Sequence, residues 1–195
     1  MINRTKQIMV VISCGLIQAC ALIPSSAVTT SGPPTVPALF QTRYQQALEL
    51  HTQDKQQQAQ EVFLQLHNDF PALSGPAVNI ALIIMTTDPQ QAEHYLQQAI
   101  IRNPKNYTAL HLLGVLARQD FRLQQARDYY QQALALAPDY AQAWYNLAVL
   151  NEVYLGDFSA AVAAYTQYAQ LNATDQVLID KRIEKLKTQL AVKAD

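Results

Sequence analysis

The sequence predicts an all-α solenoid of about four helix-turn-helix repeats closed by a C-terminal capping helix. Three observations carry this. Glycine is scarce, at 5 of 195 residues, too few for a turn-dense β-sandwich or a glycine-rich phosphate cradle. Glutamine is abundant, at 25, more than the charged residues of either sign; it favours helix and keeps a surface soluble without charge. Prolines at 71, 104 and 138 fall 33 and 34 residues apart, and a similar pattern of small and large side chains precedes each.

The chain opens on an address. Met1 to Lys6 is polar, with Arg4 and Lys6 its only charges, and Ile8 to Ile17 is mostly apolar. This is the order of a secretory signal. Interrupted by Ser13 and Gln18, the run falls short of the ~20 apolar residues of a membrane span. Leu16-Ile17-Gln18-Ala19-Cys20 then resembles the bacterial lipobox, with a branched apolar residue three before and a small residue just before a cysteine. The resemblance implies a signal peptide over 1–19, cleavage after Ala19 and a lipid on Cys20. Ala21 in place of aspartate implies, in a Gram-negative cell, transport to the outer membrane. Cys14 and Cys20 are the two cysteines, so the folded part has neither a disulfide nor a thiol nucleophile. Removing Arg4 and Lys6 leaves 12 basic against 15 acidic residues.

Residues 20–38 follow as the lipidated cysteine and a tether. Pro24, Pro33, Pro34 and Pro37 sit among Ser, Thr and Gly32 without apolar periodicity. Extended, the tether would reach roughly 50 Å.

Residues 39–173 are read as the repeats. The clearest copy has Leu110, Leu113 and Gly114 on its first helix, then Ala126, Tyr130, Ala133 and Pro138. The next has Trp144 at a large core position, with Leu147, Ala148, Ala161 and Tyr165. The one before has Ile80, Ala81, Ala92, Leu96, Ala99 and Pro104, and the first Ala47, Leu50, Ala59, Phe63 and Pro71. Small residues let two helices approach, and bulky ones a turn away fill the space between pairs. One pair cannot bury its apolar face, so the pairs must stack. This pattern resembles the tetratricopeptide repeat.

Two copies depart from the frame. The second is one residue short around Thr86-Thr87-Asp88-Pro89, which predicts a tight turn between its helices. The fourth has an extra residue in Glu152-Val153-Tyr154-Leu155, carries Tyr168 where a small residue is usual, and lacks the final proline. After a break at Asn172 to Asp175, a last helix (174–195) with Thr174 or Asp175 as cap places Ile179, Ile183, Leu186 and Leu190 on one face. Its outer face carries Lys181, Arg182, Lys185 and Lys187.

The chemistry of catalysis is missing from the sequence. His51, His67, His94 and His111 stand one per segment without metal-ligand spacing, and the acidic residues are dispersed. A binding protein is expected, with no enzyme activity, cofactor, metal or small-molecule substrate. The net charge of -1 argues against nucleic acid.

The tetratricopeptide resemblance implies a groove lined by the first helix of each pair. Its positions here are Tyr44, Leu48 and His51; Val78, Asn79 and Leu82; His111, Val115 and Arg118; and Tyr145, Asn146, Val149 and Glu152. Asn79 and Asn146 fall where an amide often holds a peptide backbone. Val78, His111 and Tyr145 stand where the carboxylate clamp has lysines, which argues against that mode. The groove suits a protein segment. As a whole the chain resembles small tetratricopeptide lipoproteins of Gram-negative envelopes. That implies a scaffold for assembling or localising an envelope machine of pilus or secretion type, held to the outer membrane through Cys20. An adaptor for a periplasmic protease or murein hydrolase, or an accessory of TonB-type energy transduction, is the alternative.

Overall fold

The computed structural model of the chain describes residues 36–172 and 174–194. The signal, Cys20 and most of the tether lie outside them. Nine α-helices are present among the described residues: α1 Val36–Thr52, α2 Gln56–Asp69, α3 Gly75–Ile84, α4 Pro89–Arg102, α5 Tyr107–Gln119, α6 Leu123–Leu136, α7 Ala141–Val149, α8 Phe158–Leu171 and α9 Gln176–Ala194. A π-helical segment, Leu150–Leu155, continues α7. Helix α1 begins inside the stretch expected as tether, so Val36 to Ala38 belong to the fold.

The helices pair in chain order, α1 with α2 up to α7 with α8, and each pair stacks on the next. Helix α9 packs on α8 and closes the array as its cap. One vertical series explains the stacking. Ala59, Ala92, Ala126 and Ala161 begin the inner face of each second helix, and Phe63, Leu96, Tyr130 and Tyr165 follow one turn later; all eight are buried. The alanines let the first helix approach and the large residues fill the space beyond. On the first helices Ala47, Ala81, Gly114 and Ala148 hold the matching small position.

The intervals in that alanine series are 33, 34 and 35, and both irregular ones have structural consequences. In the regular turn between paired helices one residue takes a left-handed conformation: Asp54 (φ 61°), Phe121 (φ 58°) and Gly156 (φ 65°). The short second repeat lacks that residue. Its turn instead closes with the Thr87 and Asp88 N–H groups donating to the Ile84 carbonyl at 2.9 and 2.7 Å. Asp88 then caps α4 by accepting from the Gln91 N–H at 2.9 Å. In the fourth repeat the extra residue is absorbed as the π-helical segment, the usual outcome of an insertion into an α-helix.

Two local expectations are corrected. Trp144 only packs against the edge of the core; it is half-buried, with its indole N–H donating to the Pro138 carbonyl at 2.8 Å. Asp175 does stand before α9, but its carboxylate accepts from the Tyr168 hydroxyl at 2.9 Å. Helix α9 is thereby fastened to α8 through that side chain.

Candidate functional site

The face built by α1, α3, α5 and α7 carries the residues expected to line a groove, and the structure divides them into two groups. Val78, Asn79, His111 and Val115 are buried between neighbouring first helices. They hold the repeats together. The Asn79 amide donates to the Tyr44 hydroxyl at 2.6 Å and to the Gly75 carbonyl at 3.0 Å, so both of its N–H groups are committed. Tyr44 is half-buried, packed against Phe40 and Phe63. The same arrangement recurs two repeats on, where Asn146 Nδ2 lies 2.7 Å from His111 Nε2.

That contact fixes the state of the imidazole. The Asn146 amide nitrogen only donates, so His111 Nε2 accepts and its proton sits on Nδ1, which donates to the Tyr140 hydroxyl at 3.2 Å. Burial, with a smaller contribution from the Arg118 charge, pushes the His111 pKa down to about 3. His111 is a neutral bridge between repeats, and the asparagines expected to clamp a peptide backbone are bonded within the fold. His51 is likewise occupied, its Nδ1 2.9 Å from the Gln56 side-chain oxygen.

Leu48, Leu82, Arg118, Tyr145 and Val149 keep accessible surface. The Arg118 guanidinium stands 5.8 Å from the centre of the Tyr154 ring, a cation–π contact made possible by the π-helical segment. Tyr145 and Val149 line a cavity of about 260 Å³, with Val153 on the same wall, Leu178 and Arg182 opposite, and Tyr165 at its base. Tyr145 packs against Tyr165 and Tyr168, with ring centroids 6.0 and 5.2 Å away. Tyr168, unusual at its position, thus supports the cavity from below.

The cavity is closed on one side by a polar clasp. Glu152 pairs with Arg182 through both oxygens, to Nε and Nη2 at 2.8 Å each, and also accepts from the Tyr165 hydroxyl at 2.9 Å. The Glu152 carboxylate raises the Arg182 pKa, and burial followed by Glu152 raises that of Tyr165. For Tyr168, burial and the bond to Asp175 push the hydroxyl up to about 12. Glu152, expected as a groove residue, is consumed in holding α9.

Val153, Leu178 and Arg182 were not among the expected site residues. A sequence signal for Leu178 does exist, since it falls off the stripe of Ile179, Ile183 and Leu186 that α9 buries. Among the described residues no group of three or more His, Cys, Asp or Glu could hold a metal, and no helix is long and apolar enough to cross a membrane.

The tetratricopeptide-repeat family model matches residues 86–140 and 122–176. Yeast Tom70 is similar in structure with a TM-score of 0.71 at 19% identity, over 82% of this chain and 35% of its own. A thermophilic tetratricopeptide-repeat protein of Thermus thermophilus gives 0.64 at 19%, over 78% and 84% of the two chains. MamA from Desulfovibrio magneticus RS-1 gives 0.57 at 21%, over 68% and 75%. These likenesses establish the fold. No curated protein matches the sequence.

Proposed function

We propose that this chain, whose fold is an all-α solenoid of tetratricopeptide-repeat type, is a non-enzymatic scaffold that binds a protein segment on the face of its first helices. The observation that supports this most is the open apolar cavity beside Tyr145 and Val149. Those two residues belong to the expected groove and stay accessible, while Val78, Asn79, His111 and Val115 on the same face are consumed by packing. The lipobox-like Leu16 to Cys20 and the proline-rich stretch after it support an address: a domain tethered by Cys20 to the outer membrane of a Gram-negative cell, facing the periplasm. There the scaffold would assemble or localise an envelope machine of pilus or secretion type.

Two measurements test this reading. Cys20→Ser should leave the protein unprocessed or release it from the membrane fraction, since stable anchoring rests on the acyl chains. A mutant still processed and firmly in the outer membrane would end the lipid assignment. A photo-cross-linking side chain at Val149 should trap an envelope protein that the same group at Ile101, exposed on the second helix α4, does not. Equal trapping from both positions would remove the first-helix face as the binding surface.

A further inference from the structure

Helix α9 is more than a cap. It carries Lys181, Arg182, Lys185, Lys187 and Lys193 against Asp180 and Glu184, a charge of +3 in a chain whose net charge is -1. These charges are not spread evenly around it. Leu178 and Arg182, which line the cavity beside Tyr145, are followed at the same helical angle by Lys185, Gln189 and Val192, in steps of four, three, four and three. Asp180, Glu184 and Lys187 fall on the opposite flank, where Lys187 and Glu184 pair at 2.8 Å. The cavity-side flank is therefore cationic and without acidic residues of its own.

A second apolar hollow, of about 290 Å³, lies farther along the same flank, between Gln189, Val192 and Phe158. From Leu178 to Val192 is fourteen residues, about 21 Å along a helix. Leu178 and Val192 are exposed, at 69% and 73%, and so is Val153 on the facing wall. Two apolar hollows thus stand about one to two turns either side of Lys185, with Arg182 close by.

We infer that this flank receives an acidic peptide segment whose apolar side chains enter the two hollows and whose carboxylates face Lys185 and Arg182. The inference rests on the scaffold reading and names its site and partner chemistry. Charge decides the occupant. An apolar segment without carboxylates would leave Lys185 unpaired beside a desolvated contact, and a basic one would be repelled. Because Glu152 already neutralises much of Arg182, Lys185 is the cation left to select the partner.

The test uses the full chain in detergent and a displayed library of random peptides of about 12 residues. Selected peptides should combine Asp or Glu with large apolar residues. Binding of a fluorescein-labelled selected peptide is then followed by anisotropy. Lys185→Glu should weaken it about tenfold or more, whereas Lys187→Glu, the same charge change on the other flank, should change it less than about twofold. Val153→Glu should abolish it, and raising salt from about 0.05 to 0.3 M should weaken it several-fold. Equal effects of the two lysine variants, or selected peptides without acidic residues, would overturn the inference. If binding were instead lost in Leu82→Glu, the site would lie elsewhere on the first-helix face and the scaffold reading would stand. If no peptide were enriched, both would fall. Self-association abolished by Val153→Glu would make the occupant a second copy and overturn the acidic segment.

Discussion

Gly114 lies against the face of the Tyr130 ring: a β-carbon at 114 would stand 2.5 Å from Cε1 and 2.6 Å from Cδ1. The ring is fully buried and belongs to the partner helix α6. At the small position of the third repeat it is thus an aromatic side chain, not a neighbouring backbone, that forbids growth.

Gly114→Ala should accordingly have the wrong sign for a helix interior. Alanine normally gains about 1 kcal/mol over glycine there. Here the overpacked ring should reverse that and destabilise by about 1–3 kcal/mol, with Gly114→Leu worse. Urea unfolding would report it. Adding Tyr130→Leu should recover part of the loss, and a Gly114→Ala variant more stable than the parent would show that the ring can move aside.

The clasp on α9 makes a separate prediction. Glu152→Ala leaves the Arg182 guanidinium and the Tyr165 hydroxyl without their shared acceptor. The loss should be about 1–3 kcal/mol, concentrated at the C-terminal end because stability in stacked repeats is local. Amide exchange should therefore speed up in α9 and α8 while α3 to α6 keep their protection. A uniform change along the whole array would contradict this.

His111 predicts acid sensitivity of a defined sign. Its imidazole is held at about 3 in the fold against 6.5 for the free side chain. Between those values the unfolded chain takes up a proton that the folded chain refuses. Stability should fall as pH drops below about 6.5 and keep falling towards 3, by at most about 1.4 kcal/mol per unit from this group. His67, also lowered, by burial and then by Arg102, adds in the same direction. His111→Gln can still accept from Asn146 and donate to Tyr140, and should flatten the dependence between pH 7 and 5. An unchanged slope would mean that another group carries it.

What the sequence made legible follows from what repeats constrain. Residues such as Ala126 and Tyr130 must recur at a fixed interval or the pairs do not stack, so the number of repeats, the short turn at Asp88 and the insertion near Glu152 could all be read in advance. The groove could not be read as well. Val78 and His111 lie on the same face of the array as Leu82 and Val149, and periodicity cannot say which of them the next first helix covers. Asn79 and Asn146 were expected to face a ligand because they fall at repeat positions whose amide often holds a peptide backbone, yet each meets a polar residue one repeat back. Trp144 was placed in the core by its position in the repeat, but its indole N–H needed an acceptor and found one at the periphery, at Pro138. Arg182 enters the site from α9 and pairs with Glu152 of the π-helical segment, a contact between distant elements that no spacing rule states.

The left-handed turn positions allow strain to be separated from packing. Phe121 adopts φ 58° with its side chain 74% exposed, and its closest aromatic neighbour is Tyr154, at a centroid distance of 6.2 Å. A bulky side chain in this region is strained by about 1 kcal/mol or more, and an exposed ring returns little of that through burial. Gly156 holds the equivalent place in the fourth repeat at φ 65°, and a β-carbon there would meet nothing within 4 Å. The two positions thus share a backbone conformation and differ in the side chain. Phe121→Gly should stabilise the protein by about 0.5–1 kcal/mol, the relief of strain exceeding the entropy glycine adds to the unfolded chain. Gly156→Ala should destabilise it by about 1 kcal/mol although it touches nothing, because only the backbone objects. Chemical unfolding of both variants under one set of conditions gives the comparison. If Phe121→Gly is instead destabilising by more than about 1 kcal/mol, the contact with Tyr154 outweighs the strain, and the ring is part of the support for the Arg118–Tyr154 pair.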